Sequence, residues 1–132
     1  MANLNGVISR VQVRSTFTPE ELLNFPFTGK GLIICDCEGF EQIINKENIK
    51  NTLNCDFIIE VHDFIDISIS TYLKNLLSPT HEIESIKSVD DIQKALEYDF
   101  PELNGLSLNE RKELLAEGRP SIMEWLICTS KN

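Results

Sequence analysis

Two apolar runs, each ending abruptly in charge, constrain the fold of this chain more than any other feature. Leu32 to Cys35 leads straight into Asp36-Cys37-Glu38-Gly39, and Phe57 to Val61, with Glu60 inside it, leads into His62-Asp63. Short continuous apolar runs of this kind suit strands buried on both faces of a parallel sheet. The connection between them is long enough for a crossover, so they are predicted to be adjacent and parallel.

The rest of the chain alternates strand-like and helix-like segments. Val11 to Arg14 reads as a first strand. Thr18-Pro19-Glu20-Glu21 supplies an N-cap, a proline at the first helical position and a capping-box glutamate, with Leu22, Leu23 and Phe25 as the buried side of a short helix. Gly29 and Gly31 bracket a turn. Glu41 to Asn45 suits a short helix with Ile43 and Ile44 inward, and Ser70 can cap a helix that runs to Leu77 and stops at Pro79. His81 to Ile86 is expected at a sheet edge because it carries glutamates, and His81 itself is expected at the surface. Ser88-Val89-Asp90-Asp91 and Ser107-Leu108-Asn109-Glu110 are two further capping boxes, the second helix ending at Gly118 and Pro120. Ile122 to Thr129, with the sole tryptophan Trp125, is the last strand, set apart by the long excursion from Val89 to Arg119. The alternation predicts an α/β fold: a mostly parallel sheet with helices on both faces.

At 132 residues, 42% hydrophobic and 25% charged, the chain is expected to form a single domain over residues 1-132 with a real core. Its net charge of -9 and scattered basic residues disfavour nucleic acid and anionic membranes as partners. Cys35, Cys37, Cys55 and Cys128 match neither a zinc knuckle nor a CxxC pair, and read as free buried thiols in a reducing compartment. The N-terminus has no apolar signal core and no stretch reaches membrane-spanning length, so the expected location is cytoplasmic.

The candidate chemistry lies at the strand ends, where ligands of open parallel sheets bind. Neighbouring parallel strands would bring Asp36 and Glu38 beside Glu60, His62 and Asp63, with Glu60 and His62 two residues apart and so on one strand face. Three readings stand for Asp36, Glu60 and His62. They hold a divalent metal such as Mg, Mn or Zn. They perform acid–base catalysis with His62 taking a proton. Or they are structural: Asp36 caps the next helix, Glu60 pairs with a base such as Arg119, and His62 meets a loop carbonyl. Glu117 and Arg119 form a local ion pair or face the cluster, Glu38 and Glu41 favour a helix N-terminus, and Gly39 permits the turn. No GxGxxG and no P-loop occurs.

DCEGFE, from Asp36 to Glu41, resembles the D-x-E-G-x-E signature of FkbM-like methyltransferases, a branch of the class I S-adenosylmethionine-dependent enzymes. DFIIEVHDF, from Asp56 to Phe64, resembles their next strand, LNGVISRVQVRSTFTPEELL their stretch around the third strand, and EGRPSIMEWL their closing strand. The resemblance implies a partial Rossmann-like methyltransferase fold whose last strand runs antiparallel and inserts between its two predecessors. It places Asp36, Glu38 and Gly39 beside S-adenosylmethionine, and Glu60 and His62 at the adjoining strand end. The family's glycine-rich loop and ribose acid have no counterpart in these residues. The chain is therefore expected to be a truncated domain, the later part of a methyltransferase, that binds the cofactor weakly or not at all by itself. A homodimer, or a companion chain supplying the missing half, is expected to cover the exposed strand surface. The alternatives are a non-catalytic homodimeric interaction or structural protein, and a metal-dependent enzyme using the acid and histidine cluster.

Overall fold

The computed structural model describes residues 3–132. Among these residues four α-helices and four strands follow in the order α1 (Pro19–Leu23), β1 (Gly31–Cys35), β2 (Cys55–Val61), α2 (Ile69–Leu77), β3 (His81–Lys87), α3 (Asp91–Glu97), α4 (Leu108–Leu115) and β4 (Glu124–Ser130). The sheet order is β1-β2-β4-β3. β1 and β2 are parallel, with Ile33 opposite Phe57 and Cys35 opposite Ile59. β4 is antiparallel to both β2 and β3, so β1, β2 and β3 share one direction and the last strand is inserted between its two predecessors. The sheet is therefore mixed, with one parallel pairing and two antiparallel ones rather than mostly parallel pairings. β3, rich in glutamate, lies at an edge as expected.

Helix starts follow local chemistry. At α1 the Thr18 side chain accepts from the Glu21 N–H and the Glu21 carboxylate accepts from the Thr18 N–H; Ser107 and Glu110 repeat this at α4. Two expected caps move. Asp90, not Ser88, caps α3, while the Ser88 hydroxyl accepts from the Met123 N–H and ties the approach to β4 onto the end of β3. α2 begins one residue before Ser70, so the Ser70 hydroxyl is free to reach Glu124 instead, and Asp63 accepts from the Ser70 N–H. Val11 to Arg14 forms no strand, because no neighbouring strand offers it a ladder, and Val13 lies in solvent.

The core fills one face of the sheet. Phe57, Ile59 and Val61 of β2 meet Leu126 and Cys128 of β4, and Leu22 of α1 with Ile69, Leu73 and Leu77 of α2 close over them. Leu23 and Phe25, expected inward, are partly exposed, because the short α1 turns only one residue, Leu22, toward the sheet. On the opposite face Leu32 is 57% exposed and Ile34 66%, so β1 is buried on one face and not on two. No residue of α3 or α4 joins the core cluster; these helices pack on each other. Full helical cover is thus found on one face only, where helices on both faces were expected. His81, expected at the surface, is buried against Phe57 and hydrogen-bonds the Cys55 carbonyl at 2.9 Å and the Thr80 hydroxyl at 2.8 Å. All four cysteines are free, but Cys37, expected to be buried with the others, is only partly buried because it lies past the end of β1.

Candidate functional site

The parallel pairing of β1 and β2 carries both strand ends to the same edge of the sheet. After Cys35 the chain turns through Glu38 at φ 52° and Gly39 at φ 95°. Successive left-handed residues reverse the chain in a minimum of length, and glycine takes this conformation at little cost. Here a side chain at position 39 would also meet Ile65 at 3.0 Å. The tight reversal sends Glu41 back under the strand end, in a 3-10 turn over Glu41–Ile43.

His62, one residue past β2, lies between these acids. Its Nδ1 is hydrogen-bonded to Glu41 Oε1, which also accepts from the Gly39 N–H at 3.1 Å. Its Nε2 makes no hydrogen bond among the described residues and faces Asp36 Oδ1 at 3.8 Å and Glu38 Oε2 at 3.5 Å. Phe64 packs edge-on against the imidazole at 5.7 Å between centroids. Glu60, at 5% exposure, pairs through Oε1 with Arg119, whose Nε also holds Glu117 at 2.7 Å. Glu117 in turn holds Lys94 at 2.5 Å, which reaches Asp91 at 3.3 Å. These two carboxylates, acting through hydrogen bonds, push the Lys94 ammonium above its ordinary value. The Lys94 and Arg119 hydrogen bonds hold Glu117 below the usual carboxylate range.

Asp36, Glu60 and His62 are brought together: one ligand-capable atom from each lies within 4.8 Å of the others. Glu38 stands beside them and Gly39 shapes the turn, while Asp63, spent on the Ser70 N–H, stands apart. Two structural expectations change. Asp36 caps no helix, since Phe40 precedes the 3-10 turn and no side chain caps it. His62 meets a carboxylate and not a loop carbonyl. Arg119 does both things considered for it, pairing locally with Glu117 and facing the cluster through Glu60. The residue missed by sequence reading is Glu41. Its position in DCEGFE suggested only a helix start, yet it is wholly buried and one carboxylate oxygen, Oε2, has no hydrogen-bond partner. The signal in the sequence was the glutamate next to Ile43 and Ile44, where the turn glycine folds the segment inward.

Two cavities adjoin the strand ends. A pocket of about 320 Å³ is bordered by Asp36, Glu38, Glu60, His62, Arg119 and Met123. A groove of about 850 Å³ runs along β1, lined by Thr18, Ile33, Asp36, Gly39, Phe40 and Ile43 among others. Asp36 borders both. The site can thus offer a carboxylate to a polar group in the groove, and an imidazole nitrogen, its tautomer set by Glu41, to a proton or a cation. No helix among the described residues is long and apolar enough to cross a membrane. No family model matches this chain, and neither does any curated protein or solved structure.

Proposed function

We propose that this chain forms the later half of a class I S-adenosylmethionine-dependent methyltransferase domain of the FkbM-like kind, a partial Rossmann-like sheet. The observation that carries the reading is the strand order β1-β2-β4-β3 with β4 antiparallel and inserted, the arrangement the DCEGFE and EVHDF resemblance implies. The free edge of β1 supports it further. That edge is where the family's strands bearing the glycine-rich loop would pair, and it is the edge through which two copies of this chain would associate.

The groove beside β1 fits the cofactor in chemistry. Ile33, Phe40 and Ile43 give apolar walls suited to an adenine ring, and Asp36, whose carboxylate accepts no hydrogen bond, suits a hydroxyl or ammonium group. When bound, S-adenosylmethionine supplies an electrophilic methyl group. The chain's own part is to orient the cofactor through Asp36 and the Glu38-Gly39 turn, and to take the acceptor's proton at His62 Nε2, the tautomer being fixed by Glu41.

Amide shifts of isotope-labelled protein titrated with S-adenosylhomocysteine test this. Weak binding, with Kd above about 1 mM, and shifts confined to residues 16–19 and 33–40 are expected. Micromolar binding overturns the reading of a half-domain without its main binding loop, and shifts centred elsewhere overturn it in favour of a non-catalytic interaction protein.

A further inference from the structure

We infer that Asp36, Glu38, Glu60 and His62 form a binding site for one first-row divalent cation, which needs no methyl donor and which competes with a proton for His62 Nε2. Asp36, Glu60 and His62 each bring a ligand-capable atom within 4.8 Å of the others. The distances from His62 Nε2, 3.8 Å to Asp36 and 3.5 Å to Glu38, are too long for hydrogen bonds. They are the right length for ligands sharing one ion, because metal–ligand bonds of about 2.1 Å set neighbouring donors about 3 to 4 Å apart.

The imidazole is prepared for this role. Its side chain is only 4% exposed, its Nδ1 is bound to Glu41, and its Nε2, aimed at the acids, has no hydrogen-bond partner among the described residues. A carboxylate on the far nitrogen fixes the tautomer and ring orientation and raises the basicity of a metal-binding histidine. Glu60, equally buried, gives Oε1 to Arg119 and leaves its second oxygen without a hydrogen bond among the described residues. Arg119 therefore holds that carboxylate in place and does not consume it.

Charge argues the same way. Among the described residues, the basic groups paired with Asp36, Glu38, Glu41, Glu60, Asp91 and Glu117 are Arg119, Lys94 and the His62 ring. Glu41 and Glu60 are the buried members, buried like charges are costly without a cation, a proton or donors, and Glu41 Oε2 has no donor among the described residues. A set of carboxylates with one imidazole favours Mn²⁺, Fe²⁺ or Zn²⁺ over Mg²⁺ and Ca²⁺, which prefer oxygen alone.

Mn²⁺ is the probe, added to the chelator-stripped full chain and read as loss of the free-ion EPR signal. One Mn²⁺ per chain with submillimolar affinity is expected. Asp36 is half-exposed, so Asp36→Asn should fold and weaken binding by about tenfold or more. Glu84→Gln, an equal charge change on the exposed edge strand, should alter it by less than about twofold. No binding at about 1 mM, the upper bound of the expected range, overturns the site and leaves the Glu60–Arg119 pair as structural. Equal weakening by both variants overturns it too, showing only diffuse attraction to an acidic surface. Neither outcome bears on methyl-donor binding, which is read from amide shifts in metal-free protein.

Discussion

His62 Nδ1 and Glu41 Oε1 are hydrogen-bonded in the interior, with Glu41 wholly inaccessible and His62 nearly so. The bond joins the turn after β1 to the end of β2, so it fixes the two strand ends relative to each other. Removing one partner leaves the other buried without its hydrogen bond, which costs about 1–3 kcal/mol. Glu41→Ala and His62→Ala are each expected to destabilise by roughly that much, and the double variant by less than their sum, with a coupling of about 1–3 kcal/mol. Urea unfolding of the four proteins measures the cycle; additive losses would show that the two side chains act separately.

Glu124 sets a stability loss in acid. Burial pushes its carboxyl up, but Lys74 at 2.7 Å and the Ser70 and Ser85 hydroxyls outweigh burial and hold it at about 2, below its ordinary 4.5. A depressed folded-state pKa gives stability that is complete above the unfolded value and disappears as pH falls through the folded one. The expected loss therefore falls between pH 4.5 and about 2, and, since Lys74 is partly exposed, amounts to on the order of 2 kcal/mol. Glu124→Gln should flatten this part of the stability–pH curve. An unchanged slope in the variant would place the acid sensitivity elsewhere.

The thiols should react in a fixed order. Burial pushes Cys128 up to about 11 and Cys35 well above the ordinary thiol value, the latter aided by Cys37, whose sulfur lies 3.2 Å away. Burial also raises Cys37, but Cys37 is the one thiol of the four that is not buried. Since the thiolate is the reactive form, native protein at pH 8 should be alkylated slowly, at Cys37 first, and at all four positions only after unfolding. Peptide mass spectrometry after timed iodoacetamide treatment reads the order; early labelling of Cys128 would contradict the packing of β4.

Self-association should depend on β1. Leu32 and Ile34 expose apolar side chains on a strand with one unpaired edge, a combination that invites pairing. The isolated chain is expected to sediment as a dimer and Ile34→Lys as a monomer. Ile34 is mostly exposed, so the substitution should change unfolding free energy by less than about 1 kcal/mol. A wild-type monomer at high concentration, or a dimer that survives the lysine, would remove β1 from the interface.

The sequence alone determined what is local. Thr18 with Glu21 and Ser107 with Glu110 cap their helices because capping is settled within four residues. The runs at Leu32 and Phe57 are strands, and a helix-length connection makes them parallel neighbours, so Asp36, Glu60 and His62 converge as foreseen. Tertiary structure decided what depends on distant partners. Val11 to Arg14 is no strand for want of a ladder, and Ser70 leaves the capping role because Glu124, far along the chain, takes its hydroxyl. Glu41 and His81 are buried because each meets a partner brought in by another strand, His62 for one and the Cys55 carbonyl for the other. A polar side chain enters the interior only where such a partner compensates its lost hydration, and the sequence around it does not say where that partner lies.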